Sequence, residues 1–287
     1  LAVLYGKILR VDPTNPNWLD RDRFILSKGH SAAILYAVLA ERGFFPLEWL
    51  ETYCQDGSKL TGHISHYLPG IEASTGSLGH GLPIGCGIAL AGKREDKPYR
   101  VFVLVSDGEM DEGSNWESIL FAPQHQLDNL VVIVDYNKIQ SFGTVKEVLD
   151  LEPLTAKFQA FRWSVREIDG HNFQQIEDAF NSVPFQKGKP SCIIAHTVKG
   201  KGVSFMENQL AWHYKSPNQE QLEQAIQQRT KELSQAYDKL KQEVYERRRA
   251  ERLQKSLFEI AELASSGSDN PDFYTQLHNV IRHLIPA

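Results

Sequence analysis

The stretch Val-Phe-Val-Leu-Val-Ser-Asp-Gly, from Val101 to Gly108, decides the fold of this 287-residue chain. Its run of β-branched and other apolar side chains is typical of a strand that is buried on both faces. A second run of this kind, Leu130–Tyr136, ends directly before Asn137. Because an amphipathic stretch over residues 115–125 separates the two runs, the sequence predicts a strand–helix–strand unit with parallel strands.

The same alternation continues toward the C-terminus. The pattern predicts two further buried strands over residues 163–168 and Ser191–His196, and an amphipathic helix over residues 173–183. We therefore expect an α/β fold, with a parallel sheet and helices on both of its faces. In such sheets ligands bind beyond the carboxyl ends of the strands, so Asp107 and Asn137 are the first candidates for a site.

Asp107 and Asn137 carry oxygens that suit a metal and phosphate site. Neighbouring parallel strands would bring these oxygens into one crevice, where Mg²⁺ prefers a few protein oxygens together with substrate phosphates. Gly108 allows the backbone to approach an anion closely, and the helix that follows can direct its first N–H groups at a phosphate. The dipeptide Asp-Gly by itself marks only a turn, so the indication comes from the preceding strand and from Asn137.

Bulk properties exclude several functional classes. The formal net charge of -5 disfavours nucleic-acid binding, and the apolar runs are far shorter than the roughly 18 residues that span a membrane. Cys54, Cys86 and Cys192 form no C-x-x-C pair, which predicts a reducing, cytoplasmic environment without a disulfide or zinc framework. The chain opens at Leu1, inside a predicted helix, and we expect a further segment before it.

Two segments resemble the thiamine-diphosphate signature, which begins Gly-Asp-Gly and ends in Asn one helix and one strand later. They are residues 106–113, where Ser106 replaces the first Gly, and residues 135–139. Over residues 1–218 the chain is similar to transketolase, specifically to the split type whose N-terminal subunit is a separate polypeptide. The further matching blocks are residues 27–30, 62–63, 74–81, 169–171 and 199–202.

The resemblance implies a set of metal and cofactor ligands. Asp107, the side chain of Asn137 and the backbone carbonyl of Ile139 would bind Mg²⁺. The other contacts to thiamine diphosphate would come from Gly108 and Glu109 in the signature, from the backbones of Gly76 and Leu78 at the aminopyrimidine, and from His30 and His213.

The resemblance also implies three catalytic histidines. His30 and His213 would lie beside the diphosphate and the thiazolium, where they can serve proton transfers, and His63 would hydrogen-bond the donor sugar. Glu112 and Glu117 would lie near a subunit interface.

The expected reaction is transfer of a two-carbon ketol unit from a ketose to an aldose, within carbohydrate metabolism and the pentose phosphate pathway. In the family, the glutamate that activates the aminopyrimidine belongs to a second type of domain, which is not found in this sequence. We therefore expect activity only with a C-terminal subunit that carries the pyrimidine-binding domain, in a cytoplasmic heterotetramer. Its substrates would be sugars or sugar phosphates, and it would bind neither nucleic acid nor membrane.

The composition changes near residue 216. Residues 1–216 hold all five tryptophans and most of the glycine and proline, whereas residues 217–264 are dense in Glu, Gln, Lys and Arg. Ile226, Leu233 and Leu240 recur every seven residues, which predicts a long helix with a coiled-coil seam.

The tail resembles parts of bacterial signalling proteins. Residues 229–251 are similar to their helical linkers, and residues 257–284, with a predicted helix over 273–284, are similar to the start of a GAF sensor domain. We expect three segments: the cofactor-binding domain over 1–216, a helical linker over 217–264 and a truncated GAF-like start over 265–287.

Two alternative functions remain open. A 2-oxo acid dehydrogenase component would use the same cofactor for a different reaction. A sensory fusion, which the tail motivates, would bind the cofactor without catalysis. The loop over residues 135–138 and the block over residues 74–81 favour transketolase, and a ketol-transfer assay separates the three.

Overall fold

The structure, a computed structural model, describes residues 1–265 together with residues 274, 275, 277, 278 and 280. Contacts between Cα atoms divide the chain into two compact units, Leu1–Lys215 and Ser216–Ala287. The predicted GAF-like start, with its predicted helix over 273–284, lies outside the described residues except for Ser265 and those five positions.

Five strands form a parallel sheet in the first unit, in the order β1-β2-β3-β5-β4. The strands are β1 (Arg23–Leu26), β2 (Val101–Ser106), β3 (Leu130–Tyr136), β4 (Ser164–Asp169) and β5 (Ser191–His196). The predicted parallel α/β sheet is therefore confirmed. The strand predicted over 163–168 is Ser164–Asp169, and the prediction that it is buried was wrong, because it is an edge strand with only Ile168 in the core. Strand β1 was not predicted, because four residues are too few to show a periodicity.

The described residues include seven α-helices, of which the first six belong to the first unit and the seventh to the second. They are α1 (Ala32–Glu41), α2 (Gly81–Arg94), α3 (Gly113–Gln124), α4 (Val145–Val148), α5 (Leu154–Ala160), α6 (Phe173–Asn181) and α7 (Gln219–Ser265). Short 3₁₀ turns occur at Gly29–Ser31, Leu47–Thr52, Gly108–Asp111 and Leu210–His213, and a π-helical turn at Leu4–Ile8.

The central strands of the sheet, β2, β3 and β5, are buried on both faces. Phe102 of β2 belongs to an apolar cluster with residues of α1 and α6, such as Leu39 and Phe180. Its neighbour Val103 points to the opposite side, into a cluster with α2, α3 and α5 that includes Ile119. Because neither face meets water, the central strands are continuous apolar runs rather than alternating ones.

Helix α7 is a single helix of 47 residues, which confirms the predicted long helical tail. The side chains of Ile226, Leu233 and Leu240 are exposed. Ion pairs three or four residues apart, such as Arg229 with Glu232, support the helix by about 0.3–0.5 kcal/mol each. Within the described part of the chain, no helix combines the length and the apolar character that a membrane span requires.

A buried carboxylate joins the edge of the sheet to the N-terminal segment. The Asp22 side chain accepts hydrogen bonds from the backbone N–H groups of Arg10 and Arg100, at 3.1 and 2.9 Å, and pairs with both guanidinium groups. Burial by itself would raise the pKa of Asp22, but the two arginines outweigh it and hold that pKa below its usual value.

We expect Asp22→Asn to lower the free energy of unfolding by about 2–3 kcal/mol, because the amide leaves two arginines and their N–H groups without a charged acceptor. Urea denaturation measures this change. The control is Asp178→Asn on the exposed surface of α6, which should change stability by less than about 0.5 kcal/mol. Equal effects of the two variants would contradict the assigned role of Asp22.

Candidate active site

A crevice of about 510 Å³ opens beyond the carboxyl ends of β2 and β3. The two strands are adjacent and pair in parallel, with Ser106 opposite Asp135. The crevice therefore lies where the sequence predicts it. Seven of the predicted site residues line it, namely His30, Leu78, Asp107, Gly108, Asn137, Ile139 and His213.

Asp107 joins the two loops that follow these strands. Its side chain is buried, with 2% exposed, and it accepts hydrogen bonds from the backbone N–H groups of Gly108 at 2.8 Å and Lys138 at 2.6 Å. Burial raises the pKa of Asp107 to about 6, although both N–H groups act in the opposite direction. Lys138, whose N–H makes the second of these bonds, adopts a left-handed φ of 67°.

The remaining predicted metal ligands lie on the second loop. The Asn137 Oδ1 atom accepts a hydrogen bond of 3.0 Å from the backbone N–H of Ile139, which holds the amide in place. Ile139 also pairs with Thr144 in an isolated β-bridge. A carboxylate, an amide oxygen and a backbone carbonyl make a hard donor set that suits Mg²⁺.

The donor set contains a single carboxylate, so it differs from a protein-only metal cage. Among the described residues, no group of three or more His, Cys, Asp or Glu side chains could hold a metal ion. The site would therefore take its other ligands from a phosphate-bearing cofactor and water, which is the usual mode for Mg²⁺. A buried polar atom without a partner, Nδ1 of His213, also fits a crevice that receives a polar ligand.

Two lysines line the crevice beside the carboxylates of Asp107, Asp111 and Glu112. Lys28 pairs with Asp135, and the Asp135 carboxylate also accepts from the hydroxyl of Thr197. Burial would raise the pKa of Asp135, but Lys28 outweighs it and holds that pKa below its usual value. Lys199 lines the same crevice, and burial followed by repulsion from Lys28 lowers its pKa.

Both lysines lie within the matching blocks of the sequence, but no role was predicted for them. The signal that could have identified Lys28 and Lys199 is their position two residues after β1 and three residues after β5. That inference requires the strand order, because only the order shows that β1 and β5 flank the β2–β3 pair.

The histidines occupy different places around the crevice. His30 and His213 both line it, and the Nε2 atom of His213 lies 3.3 Å from the hydroxyl of Ser141. Burial lowers the pKa of His213, and Lys199 and Lys28 lower it further. Burial also lowers the pKa of His30, to about 4, with contributions from Lys28 and from the other two histidines.

His63 and Gly76 contact each other rather than this crevice. A Cβ atom built on Gly76 would lie 2.8 Å from Cδ2 of the His63 ring. Neither residue is among those that line the crevice, whereas Leu78, two residues further along, is. Their predicted contacts with substrate and cofactor stay predictions.

Glu109 is bonded within the protein rather than directed into the crevice. Its fully buried carboxylate accepts hydrogen bonds from the hydroxyl of Ser27 and from the backbone N–H of Gly79, at 2.9 Å for the latter. Burial raises the pKa of Glu109. Gly79 has a φ of 80°, and a Cβ atom there would lie 2.6 Å from that of Glu112. Glu109 thus braces the loops, and its predicted contact with the cofactor stays a prediction.

The predicted interface residues lie on the loop and helix after β2. Glu112 lines the crevice. Glu117 lines a separate, mostly apolar groove of about 720 Å³ together with Leu120, Phe121 and Phe161. Their role at a subunit interface stays a prediction.

We expect the His30 ring to remain neutral in the free chain between about pH 5.5 and 8, because its low pKa places protonation well below that range. NMR titration of the ring should show no midpoint there. In Lys28→Met the midpoint should move upward, since one repelling charge is removed. A wild-type midpoint near the ordinary value of 6.5 would contradict the assigned environment.

Comparison with known proteins identifies the family. A family model described as the thiamine diphosphate binding domain of transketolase matches residues 1–262. One relative is a named subunit of the apulose-4-phosphate transketolase of Phocaeicola vulgatus, 43% identical over 243 residues and covering 85% of each chain. Another is the 6-deoxy-6-sulfo-D-fructose transketolase subunit of a Clostridium species, 43% identical over 233 residues, covering 81% of this chain and 85% of that one.

Solved structures agree with this match. Transketolase from Campylobacter jejuni superimposes with a TM-score of 0.70 at 30% identity, over 85% of this chain and 44% of that chain. Transketolase from Leishmania mexicana gives a TM-score of 0.66 at 31% identity, over 71% of this chain and 32% of that chain. The chain thus spans less than half the length of these solved enzymes. The chain belongs to the transketolase family, and it represents the thiamine diphosphate binding domain of that family.

Proposed function

We propose that the chain is the N-terminal subunit of a split transketolase, a transferase that moves a two-carbon ketol unit from a ketose to an aldose. The observation that carries the proposal is that Asp107 and Asn137, which follow β2 and β3, line the same crevice. Two relatives of similar length that are named as transketolase subunits support the split organisation.

The cofactors of the proposed enzyme are thiamine diphosphate and Mg²⁺. Asp107, Asn137 and the carbonyl of Ile139 would hold the metal, and the backbone of Gly108 would meet the diphosphate. The cofactor would supply the nucleophilic carbon needed to cleave the ketose C2–C3 bond. Lys199, beside the same crevice, would offset the negative charge of the diphosphate.

The histidines of the crevice would serve the proton transfers. A neutral His30 can accept a proton on one ring nitrogen and donate from the other, which suits both halves of a reversible transfer. His213 has a buried Nδ1 atom without a protein partner, so that atom is available to a ligand. His63 would bind the donor sugar, and Gly76 and Leu78 would contact the aminopyrimidine.

The chain would require a C-terminal subunit with a pyrimidine-binding domain. In the family, the glutamate that activates the aminopyrimidine belongs to that domain, and we propose a heterotetramer of two chains of each kind. The names of the two relatives as subunits support a partner of this type.

We propose ketoses and aldoses as the class of substrates, either as sugars or as sugar phosphates. The two relatives are named for different substrates, apulose-4-phosphate and 6-deoxy-6-sulfo-D-fructose, at the same 43% identity. Identity at this level therefore does not select one sugar. A place in carbohydrate metabolism, and in the pentose phosphate pathway, follows from the reaction class.

A cytoplasmic location is part of the proposal. Cys54, Cys86 and Cys192 are free thiols, and the last two are buried. Free cysteines are consistent with a reducing compartment.

A 2-oxo acid dehydrogenase component is less favoured, because the family match and both compared relatives are named transketolase. The hypothesis of a sensory fusion rests on the tail alone.

We propose that the cofactor domain covers residues 1–216, that residues 217–264 form a coiled-coil linker, and that residues 265–287 begin a GAF-like segment. The division of the chain after Lys215 supports the first boundary, although the family match continues to residue 262.

We expect Asp107→Ala to weaken Mg²⁺-dependent binding of thiamine diphosphate by about 100-fold or more, because the metal loses the one carboxylate of its predicted ligand set. Titration calorimetry at fixed Mg²⁺ measures this. The control Asp178→Ala, on the exposed surface of α6, should bind like the wild type. Unchanged affinity in Asp107→Ala would overturn the metal assignment.

The pure chain should show negligible ketol transfer, and addition of the C-terminal subunit should restore it, because the activating glutamate is expected on that second polypeptide. A coupled assay with a ketose donor and an aldose acceptor measures the rate. A chain that ends at Asn218 should restore activity equally well if the tail is independent. Robust transfer by the pure chain would contradict the need for a partner, and loss of activity in the truncated chain would assign the tail to the enzyme.

A further inference from the structure

Two buried polar atoms without a partner face the same crevice from different loops. One is Nε2 of Gln140, a side chain with only 6% of its surface exposed, and the other is Oδ1 of Asp111. Both residues line the crevice. A buried polar atom without a hydrogen bond costs about 1–3 kcal/mol, so each of these atoms requires an explanation.

The two orphan atoms are chemically complementary. Nε2 of Gln140 is a donor and Oδ1 of Asp111 is an acceptor, and both residues line the same crevice. Burial raises the pKa of Asp111, and its interaction with the Gln140 side chain acts in the opposite direction. The last side-chain torsion of glutamine is roughly twofold, so a rotation of the amide can exchange the positions of Nε2 and Oε1. One hydrogen bond between Nε2 and the carboxylate would then satisfy both atoms.

These residues connect the two loops that carry the predicted metal ligands. Asp111 ends the 3₁₀ turn Gly108–Asp111 that follows Asp107, and Gln140 directly follows Ile139. A Cβ atom built on Gly108 would lie 3.3 Å from Cγ of Gln140, so the aliphatic part of the glutamine side chain packs against the loop after β2.

A backbone hydrogen bond already links the same two loops, from the N–H of Lys138 to the carboxylate of Asp107. That bond attaches the start of the second loop. A bond at Gln140 would attach the loop on the far side of Ile139, so the Ile139 carbonyl would be held from both directions.

We infer that Gln140 and Asp111 form a hydrogen-bonded clamp between the two loops, and that this clamp sets the spacing of the Mg²⁺ ligands. The inference rests on the proposed function and names two positioning residues for its metal site. Mg²⁺ demands near-ideal octahedral geometry, whereas Ca²⁺ accepts variable geometry. The clamp should therefore favour Mg²⁺ over Ca²⁺.

The test compares thiamine diphosphate binding by the full chain in titrations with Mg²⁺ or with Ca²⁺. Gln140→Glu places two carboxylates against each other and should weaken the Mg²⁺-dependent affinity by about 10–100-fold, with a smaller loss for Ca²⁺. The exchanged pair Asp111→Asn with Gln140→Glu restores one amide and one carboxylate, and it should recover most of the Mg²⁺ affinity. Gln159→Glu, on an exposed position of α5, is the matched control and should have no effect.

The outcomes separate this inference from the proposed function. If the wild-type chain binds no thiamine diphosphate with either ion, the proposed function fails. If the wild type binds and Gln140→Glu binds within about twofold of it, the clamp alone is overturned. Equal losses with Mg²⁺ and Ca²⁺, without recovery in the exchanged pair, would also overturn it. If Gln140→Glu does not fold, Gln140→Met replaces it in the same titrations with Mg²⁺ and Ca²⁺. This variant keeps an apolar side chain of similar length and removes the amide.

Discussion

The parallel pairing of β2 with β3 is the constraint on which the site depends. The two strands pair in parallel and end within one residue of each other, so the polar side chains that follow them, Asp107 and Asn137, reach the same crevice. A slip of one residue would turn every side chain of a strand to the other face. Because both strands are buried on both faces, the apolar clusters around Phe102 and Val103 hold that register.

Burial of charge at the ends of these strands is offset locally, before any ligand binds. Asp107 receives backbone N–H groups from its own loop and from the loop after β3. Glu109, also buried, receives the hydroxyl of Ser27 and the N–H of Gly79. Both carboxylates thus join loops that are distant in sequence, and such joining keeps the loops in place for a ligand. Asp107 faces the crevice, whereas Glu109 holds the surrounding loops together.

The crevice combines lysines, which suit an anionic group, with carboxylates, which suit a metal ion. Burial, together with Lys28 and Lys199, disfavours positive charge on the ring of His30. A diphosphate would relieve the repulsion among these groups, because it places negative charge beside them. The same arrangement leaves His30 neutral, in the form that can both donate and accept a proton.

The sequence by itself determined the class of the fold, four of the five strands and the place of Asp107 and Asn137 in one crevice. Apolar strands and the signature residues that follow them are local patterns, which the sequence shows directly. It also predicted the helix that became α7, since an unbroken run without Gly or Pro is local as well. Tertiary structure decided which residues share the crevice. Strand order brought Lys28 and Lys199 to it, packing turned Glu109 away from it, and the meeting of two loops left Gln140 opposite Asp111. Such contacts join residues far apart in the chain, and no local spacing encodes them.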